Sequence, residues 1–215
     1  MAHGLRNKKI LVTAGPTWVS IDPVRVISNI ATGETGILLA EKLQKSGAEV
    51  TLLLGQVESC CLNKQIKLLR FKFFDELKDL IVRELKSKCY DVVIHSAAVS
   101  DYRPQAVFAK KVRSEKKTWQ LKLVPTVKLI DLIRKIDKNL ILVGFKFQPQ
   151  VGKTLLLKEA RRLLKRAKSD LIVANSINKN RYTAFILNNG KISCPLHNRK
   201  SMADRLVSAI QERIS

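Results

Sequence analysis

Short runs of aliphatic and β-branched residues alternate along this chain with segments of helical period, and that alternation constrains the fold more than any other feature. Residues 9–14 (KILVTA), 49–54 (EVTLLL), 66–71, 91–95 (DVVIH), 140–144 (LILVG) and 170–174 (DLIVA) read as strands. Several are apolar at successive positions, as expected of parallel strands covered on both faces. Residues 34–46, 75–88, 127–138, 153–168 and 202–213 carry helical periodicity, and Gly47 provides a stop for the first. Such alternation predicts an α/β fold: a three-layer sandwich with a mostly parallel sheet between helices, and ligands at the carboxyl ends of the strands.

Two stretches depart from the pattern. Residues 103–124 have no helical period, and TWQLKLV (118–124) alternates like an antiparallel strand, which predicts a basic β flap protruding from the sheet. Residues 181–191 read as a strand entering an Asn-Gly turn, with residues 192–194 returning as the second arm of a hairpin. No repeat or low-complexity linker divides the chain, so residues 1–215 are expected to form a single domain.

With 46% hydrophobic and 27% charged residues, the composition is globular and excludes a disordered or collagen-like chain. No run of about 18 apolar residues is present, so no membrane partner is expected, and the N-terminus lacks the apolar region of a signal peptide. The four cysteines (Cys60, Cys61, Cys89, Cys194) show no C-x-x-C spacing, which argues against a zinc knuckle or a disulfide framework. The expected location is the cytoplasm.

The formal charge of +22 is uneven. Residues 105–168 hold 18 basic and four acidic side chains, a net of +14, against +4 before and +4 after. Such a segment suits an anionic partner, whether nucleic acid, a membrane surface or a polyphosphate, or it decorates solvated helix faces.

The residues that could carry chemistry cluster after the strands. The first strand ends in Thr13-Ala14-Gly15-Pro16-Thr17, where a glycine lets backbone approach a ligand. Ser28-Asn29-Ile30-Ala31-Thr32-Gly33-Glu34-Thr35-Gly36 opens the first helix; its G-x-x-G spacing suits phosphate at a helix N-terminus, or Gly36 simply lets the helix sit close to the sheet. After DVVIH, the small residues Ser96, Ala97 and Ala98 leave room for a flat ring. Asp101 could hold Mg²⁺ beside phosphates or pair with Arg103. Lys110-Lys111-Val112-Arg113 puts cations on the flap. Phe145 ends a strand on the ligand side, and packs either on a base or in the core. Val151-Gly152-Lys153-Thr154 lacks the earlier glycine of a P-loop. No G-x-S-x-G is present, and His95 reads as a core histidine rather than a base.

In series, ILVTAGPT, IDPVRVISN with the following T-G-x-x-G, SAAVSDYRP, the Lys-bearing flap, LVGFKFQ and DLIVAN resemble the phosphopantothenoylcysteine synthetases, over roughly residues 9–178. The resemblance implies a Rossmann-like sheet and a homodimer formed through the flap, in the stand-alone form without the flavin-dependent decarboxylase, hence no flavin. It implies ligation of 4′-phosphopantothenate to cysteine in coenzyme A biosynthesis. The route is an acyl-nucleotide made with CTP or ATP and Mg²⁺. Residue by residue, Asn29 matches the family's contact to the acyl intermediate, and Lys111 matches the first Lys of the flap motif. Ala97, Ala98 and Phe145 match positions beside the base, and Asp101 a position near ribose, phosphate or metal. Gly15, Ser28, Thr32, Gly33 and Gly36 fall in phosphate-facing turns, and Asn175 matches the late A-N-D motif; with Ala97, Ala98, Asp101 and Phe145 these are the residues that the resemblance sets around the nucleotide. The chain departs from the family at Glu34, where a cation is usual, at Ser114 and at Ser176.

Two readings from other classes stand beside this one. The first is a basic Rossmann-like module that binds nucleic acid without catalysis, although Trp119 is the flap's single Trp where single-strand binders interleave several aromatics. The second is an NAD(P)-dependent reductase, for which the G-x-G-x-x-G fingerprint is missing.

Overall fold

The computed structural model describes residues 4–58, 62–115 and 117–214; Cys60, Cys61 and His3 lie outside the described residues. The chain runs β1 (Lys9–Ala14), β2 (Trp18–Ser20), β3 (Val26–Ser28), α1 (Glu34–Lys45), β4 (Glu49–Leu54), β5 (Lys67–Arg70), α2 (Phe74–Ser87) and β6 (Val92–His95). It continues through β7 (Tyr102–Pro104), β8 (Leu123–Pro125), α3 (Leu129–Ile136), β9 (Ile141–Phe147), α4 (Lys153–Ala167), β10 (Leu171–Asn178), β11 (Arg181–Asn188), β12 (Lys191–Ile192) and α5 (Arg199–Ile214). Eight strands form one sheet in the order β12-β11-β10-β9-β6-β1-β4-β5. The six from β10 to β5 pair in parallel, and β11 and β12 extend the edge in antiparallel fashion. This is the α/β, Rossmann-like layering that the sequence predicts.

The continuous apolar runs resolve into two faces with the period of two that a pleated strand imposes. Ile10 and Val12 of β1 pack with Leu39 and Leu43 of α1 and Leu206 and Ile210 of α5. Leu11 between them packs with Leu77 and Ile81 of α2 and Ile133 of α3. Further along the second face, Ile172 and Ala174 of β10 pack under Leu156 and Ala160 of α4. Both faces of the central strands are thus removed from water, which is why their sequence shows no hydrophobic–polar alternation.

The flap differs from expectation. Only its last residues, Leu123–Pro125, form a strand, paired antiparallel with Tyr102–Pro104; residues 118–122 are irregular. The hairpin β2–β3 is an addition that three-residue strands could not announce.

Helix α1 sits unusually deep. A Cβ built on Gly36 would lie 2.4 Å from Ala14 Cβ and 2.8 Å from Ser96 Oγ, so glycine lets the first turn of α1 rest on the ends of β1 and β6. Gly36→Ala is therefore expected to destabilise the protein by about 1–3 kcal/mol through overpacking, despite alanine's better helix propensity. Urea unfolding measures it, and an unchanged or raised midpoint would contradict the packing described.

Candidate functional site

Strand β1 pairs with β4 on one side and β6 on the other, and successive connections leave it in opposite directions. A parallel sheet opens a crevice at such a reversal, at the carboxyl ends of the two strands. Here the opening is held by short polar contacts between the ends of β1 and β6. Thr13 Oγ1 lies 2.9 Å from His95 Nδ1 and accepts from Ala97 N at 3.2 Å, and Ser96 Oγ donates to Thr13 O at 2.7 Å. Beyond the sheet, Ala98 N donates to Gly15 O, and Thr17 N donates to Ala98 O. Thr17 Oγ1 accepts from Ser100 N at 2.9 Å, and Thr126 Oγ1 donates to Ser100 O at 2.7 Å. Gly15 (φ 80°) and Gly33 (φ 72°) occupy left-handed conformations that permit the turns around this crevice.

The segment after β6 forms a wall between two cavities. Ser96 and Ala98 face one of about 270 Å³, whose lining includes Gly15, Thr32, Gly33, Gly36, Asn175 and Arg199. Ala97 and Val99 face the other, of about 640 Å³, between α3 and α4, which is lined also by Asp101, Lys128, Lys146, Arg162 and Arg166. The alternation is that of an extended chain, carried past the end of the strand. Phe145, near the end of β9, borders both cavities.

Asn29, just after β3, holds this wall. Its Nδ2 donates to Ala98 O at 3.0 Å and to Val99 O at 3.1 Å, so both amide hydrogens are engaged. The motif leading to it forms the hairpin turn: Asp22 Oδ1 accepts from Val24 N and Arg25 N, each at 2.9 Å. Asp22 Oδ2 also accepts from Val112 N of the flap at 3.2 Å, and the Arg25 guanidinium lies 4.8 Å from the Trp119 ring centroid. Burial by itself would raise the Asp22 pKa. The backbone donors Val24, Val112 and Arg25 and the Arg25 charge outweigh it and hold the carboxyl below its usual range. The flap is therefore tied to the hairpin, and its Trp119 packs on Phe108 and Arg25 instead of entering a strand.

The expected nucleotide-binding residues do not gather in one place. Gly15, Thr32, Gly33, Gly36, Ala98 and Asn175 line the smaller cavity and Ala97 and Asp101 the larger, with Phe145 common to both. Ser28 lines neither; its hydroxyl donates to Thr17 O at 3.3 Å. Lys111 is exposed on the flap, outside both cavities. Asp101 pairs with Lys128 Nζ at 2.6 Å rather than with Arg103, which reaches Asp75 at 3.5 Å. Among the described residues no group of three or more His, Cys, Asp or Glu could hold a metal ion. Asp101 alone does not make a resident Mg²⁺ site. No helix among the described residues is long and apolar enough to cross a membrane.

Sequence reasoning missed the cations that line the cavities: Lys128, Lys146, Arg162, Lys165 and Arg166 on one side and Arg199 on the other. In the sequence the three on α4 sit among other charges and read as a wet helix face. Only the position of α4 against β9 and β10 turns part of that face inward.

Residues 5–214 match the family described as DNA/pantothenate metabolism flavoprotein C-terminal domain. A relative, the coenzyme A biosynthesis bifunctional protein CoaBC of Thermococcus kodakarensis, is 39% identical over 175 residues, which is 80% of this chain and 42% of the relative. The chain thus spans less than half the length of that curated relative. Among solved structures, the DNA/pantothenate metabolism flavoprotein of Streptococcus pneumoniae superposes with a TM-score of 0.85 at 27% identity, covering 96% of this chain and 99% of the other. The C-terminal domain of a CoaBC protein gives 0.80 at 26% identity, covering 99% and 98%.

His95 is buried, and burial pushes its pKa down from 6.5 to about 4. It is neutral at physiological pH and is too weak a base to drive proton transfer there. Its NMR titration midpoint is expected near 4. As the folded value is depressed, the unfolded state binds the extra proton between about pH 4 and 6.5, and stability falls as pH drops through that window, by on the order of 3 kcal/mol. A midpoint near 6.5 would contradict the buried placement.

Proposed function

The chain belongs to the DNA/pantothenate metabolism flavoprotein C-terminal domain family, and from that membership we propose that it ligates 4′-phosphopantothenate to cysteine at the expense of a nucleoside triphosphate. The observation that carries the reading is the pair of cavities divided by a single extended wall, with Phe145 lining both. A two-substrate condensation needs two pockets whose reacting ends meet, so that encounter becomes effectively intramolecular.

The larger cavity suits the nucleotide. Lys128, Lys146, Arg162, Lys165 and Arg166 surround it against Asp101 and Glu159, a cationic excess that fits a triphosphate. Apolar Val99, Ile130, Leu163 and Phe145 offer surface to a base. Mg²⁺ would arrive with the triphosphate, as part of the substrate. The smaller cavity, with its glycine-framed turn and Arg199, suits the phosphorylated acid, so the nucleotide-binding role expected of Gly15, Thr32, Gly33, Gly36, Ala98 and Asn175 becomes in this reading a role in holding that acid.

In the first step a carboxylate oxygen of phosphopantothenate attacks the α-phosphorus of CTP or ATP; the bond to the bridging oxygen breaks and pyrophosphate leaves. In the second, the cysteine amine attacks the acyl carbon of the mixed anhydride. The nucleoside monophosphate leaves with the anhydride oxygen, and the amine gives up a proton. Asn29 lines neither pocket itself but holds the wall that divides them, and in this reading the two substrates meet across that wall. One of its amide hydrogens, released from Ala98 O or Val99 O, would stabilise the charge that develops on the acyl oxygen. Lys111 lies outside both cavities of its own chain, which fits delivery to the site of a second copy. Exposed Val24, Val107, Phe108 and Leu123 on the hairpin turn and around the flap supply apolar surface for a homodimer there.

The direct test is pyrophosphate release from CTP or ATP with Mg²⁺ and 4′-phosphopantothenate, with and without cysteine. Release that requires phosphopantothenate, with amide formed only when cysteine is added, is expected, and the pair of reactions names the nucleotide. No release with either nucleotide from folded protein overturns the reading. In the same assay Asn29→Asp, which sets a carboxylate against two carbonyl oxygens and removes the donor, is expected to lower kcat by about 100-fold or more while the protein still binds nucleotide. Undiminished turnover would remove Asn29 from the reaction.

A further inference from the structure

Arg199, the first residue of α5, reaches the mouth of the smaller cavity from the far end of the chain. Its guanidinium is fixed on two sides. The Nε edge pairs with Glu34 Oε2 at 3.5 Å, and the flat face lies 5.4 Å from the Tyr182 ring centroid. Among the described residues its two Nη groups have no partner, so the fork that recognises planar oxyanions is left open. Salt bridges between exposed groups contribute little to stability, and this one has the long separation of a weak pair. A structural role therefore explains Arg199 poorly.

The surroundings of that fork also point to a ligand. Asn175, which lines the same cavity, carries a buried Oδ1 with no hydrogen-bond partner among the described residues. A buried acceptor of that kind is costly unless something supplies a donor. The Tyr182 hydroxyl is likewise buried without a partner, and burial pushes its pKa up to about 12, so it stays neutral and adds no competing anion. Among the described residues Glu34 is the one carboxylate lining the cavity, and it is already paired with Arg199. The helix behind it begins without a side-chain cap.

We propose that Arg199 is a specificity-determining residue that binds the phosphate monoester of the acyl substrate, with Glu34 and Tyr182 acting as positioning residues that aim its guanidinium. The inference rests on the ligase reading and deepens it: it assigns the phosphorylated end of 4′-phosphopantothenate to the α1–α5 mouth of the cavity. The carboxylate end is thereby directed toward the wall at Ala98 and Asn29. The amide and hydroxyl of the same substrate are donors of the kind the Asn175 oxygen lacks.

Calorimetric binding of 4′-phosphopantothenate and of unphosphorylated pantothenate to the full chain tests this without depending on turnover. Arg199→Gln is expected to weaken phosphopantothenate by roughly 10- to 100-fold, the loss of one charge-assisted fork. The same substitution should change pantothenate binding by less than about twofold, since pantothenate has no phosphate to lose. Arg199→Lys should recover part of the affinity. The double variant Glu34→Lys/Arg199→Gln should recover more than Arg199→Gln alone, because position 34 faces the same point and regains a cation. An equal loss for both ligands, or no gain from the double variant, would make Arg199 merely structural and overturn the inference. If the unaltered protein binds phosphopantothenate but Arg199→Gln binds it as tightly, the assignment of Arg199 fails while the ligase reading survives. If the unaltered protein binds no phosphopantothenate, the ligase reading fails, and this inference with it.

Discussion

The rest of the site depends on how closely α1 approaches the ends of β1 and β6. That approach is possible because position 36 has no side chain: Ala14 and Ser96 occupy the space a Cβ would take. It has two consequences. The first turn of α1 becomes part of the cavity, with Thr32, Gly33 and Gly36 in its lining. The close contact with Ser96 also means that the helix bears on the base of the wall, because residues 96–99 continue directly from β6. Packing inside proteins is too dense for such a contact to relax without moving its neighbours.

The wall is extended chain beyond the ladder of β6, and it is supported from three directions. Gly15 and Thr17 hold it from the end of β1, Thr126 from the segment after β8, and Asn29 from the end of the hairpin. Main-chain groups without a sheet partner must find one elsewhere, and these side chains supply it. The same arrangement explains the order in which the characteristic segments occur. The segment before α1 carries the hairpin and Asn29, the segment after β6 is the wall itself, and the flap follows it, tied back to the hairpin by Asp22 and Arg25.

Much of this was legible in the sequence. β1 and β4 have the predicted bounds, and α1 and α4 differ from prediction by one residue at the end. Their runs are long and their periods unmixed. Segments whose pattern serves a local tether depart from the expectation. TWQLKLV alternates, but Trp119 turns to Arg25 and Phe108, and only Leu123–Pro125 pairs. The division of the glycine-rich turns from Ala97 and Asp101 was also hidden, because the alternation of residues 96–99 has meaning only once the sheet defines two faces. Arg199 carries no signal in the sequence: it lies outside every motif, and the helix expected from Met202 starts three residues earlier.

The charge excess shows how topology gives meaning to composition. Of the cations between residues 105 and 168, Lys128, Lys146, Arg162, Lys165 and Arg166 converge on one cavity from α4, β9 and the segment before α3. Field lines concentrate in a cleft with low-dielectric walls, so five convergent charges act on a small anion far more strongly than the same charges spread over a helix. Convergence of like charges also has a cost, since their mutual repulsion is relieved when an anion enters. Lys128 is partly neutralised already by Asp101 at 2.6 Å, and Arg162 and Arg166 by Glu159 and Asp131. Lys146 and Lys165 have no ion-pair partner among the described residues. An entering polyanion would meet those two first and then compete with the three carboxylates for the rest. The cleft therefore favours ligands whose charge is dense enough to win that exchange, as a triphosphate is, over a single carboxylate or monophosphate.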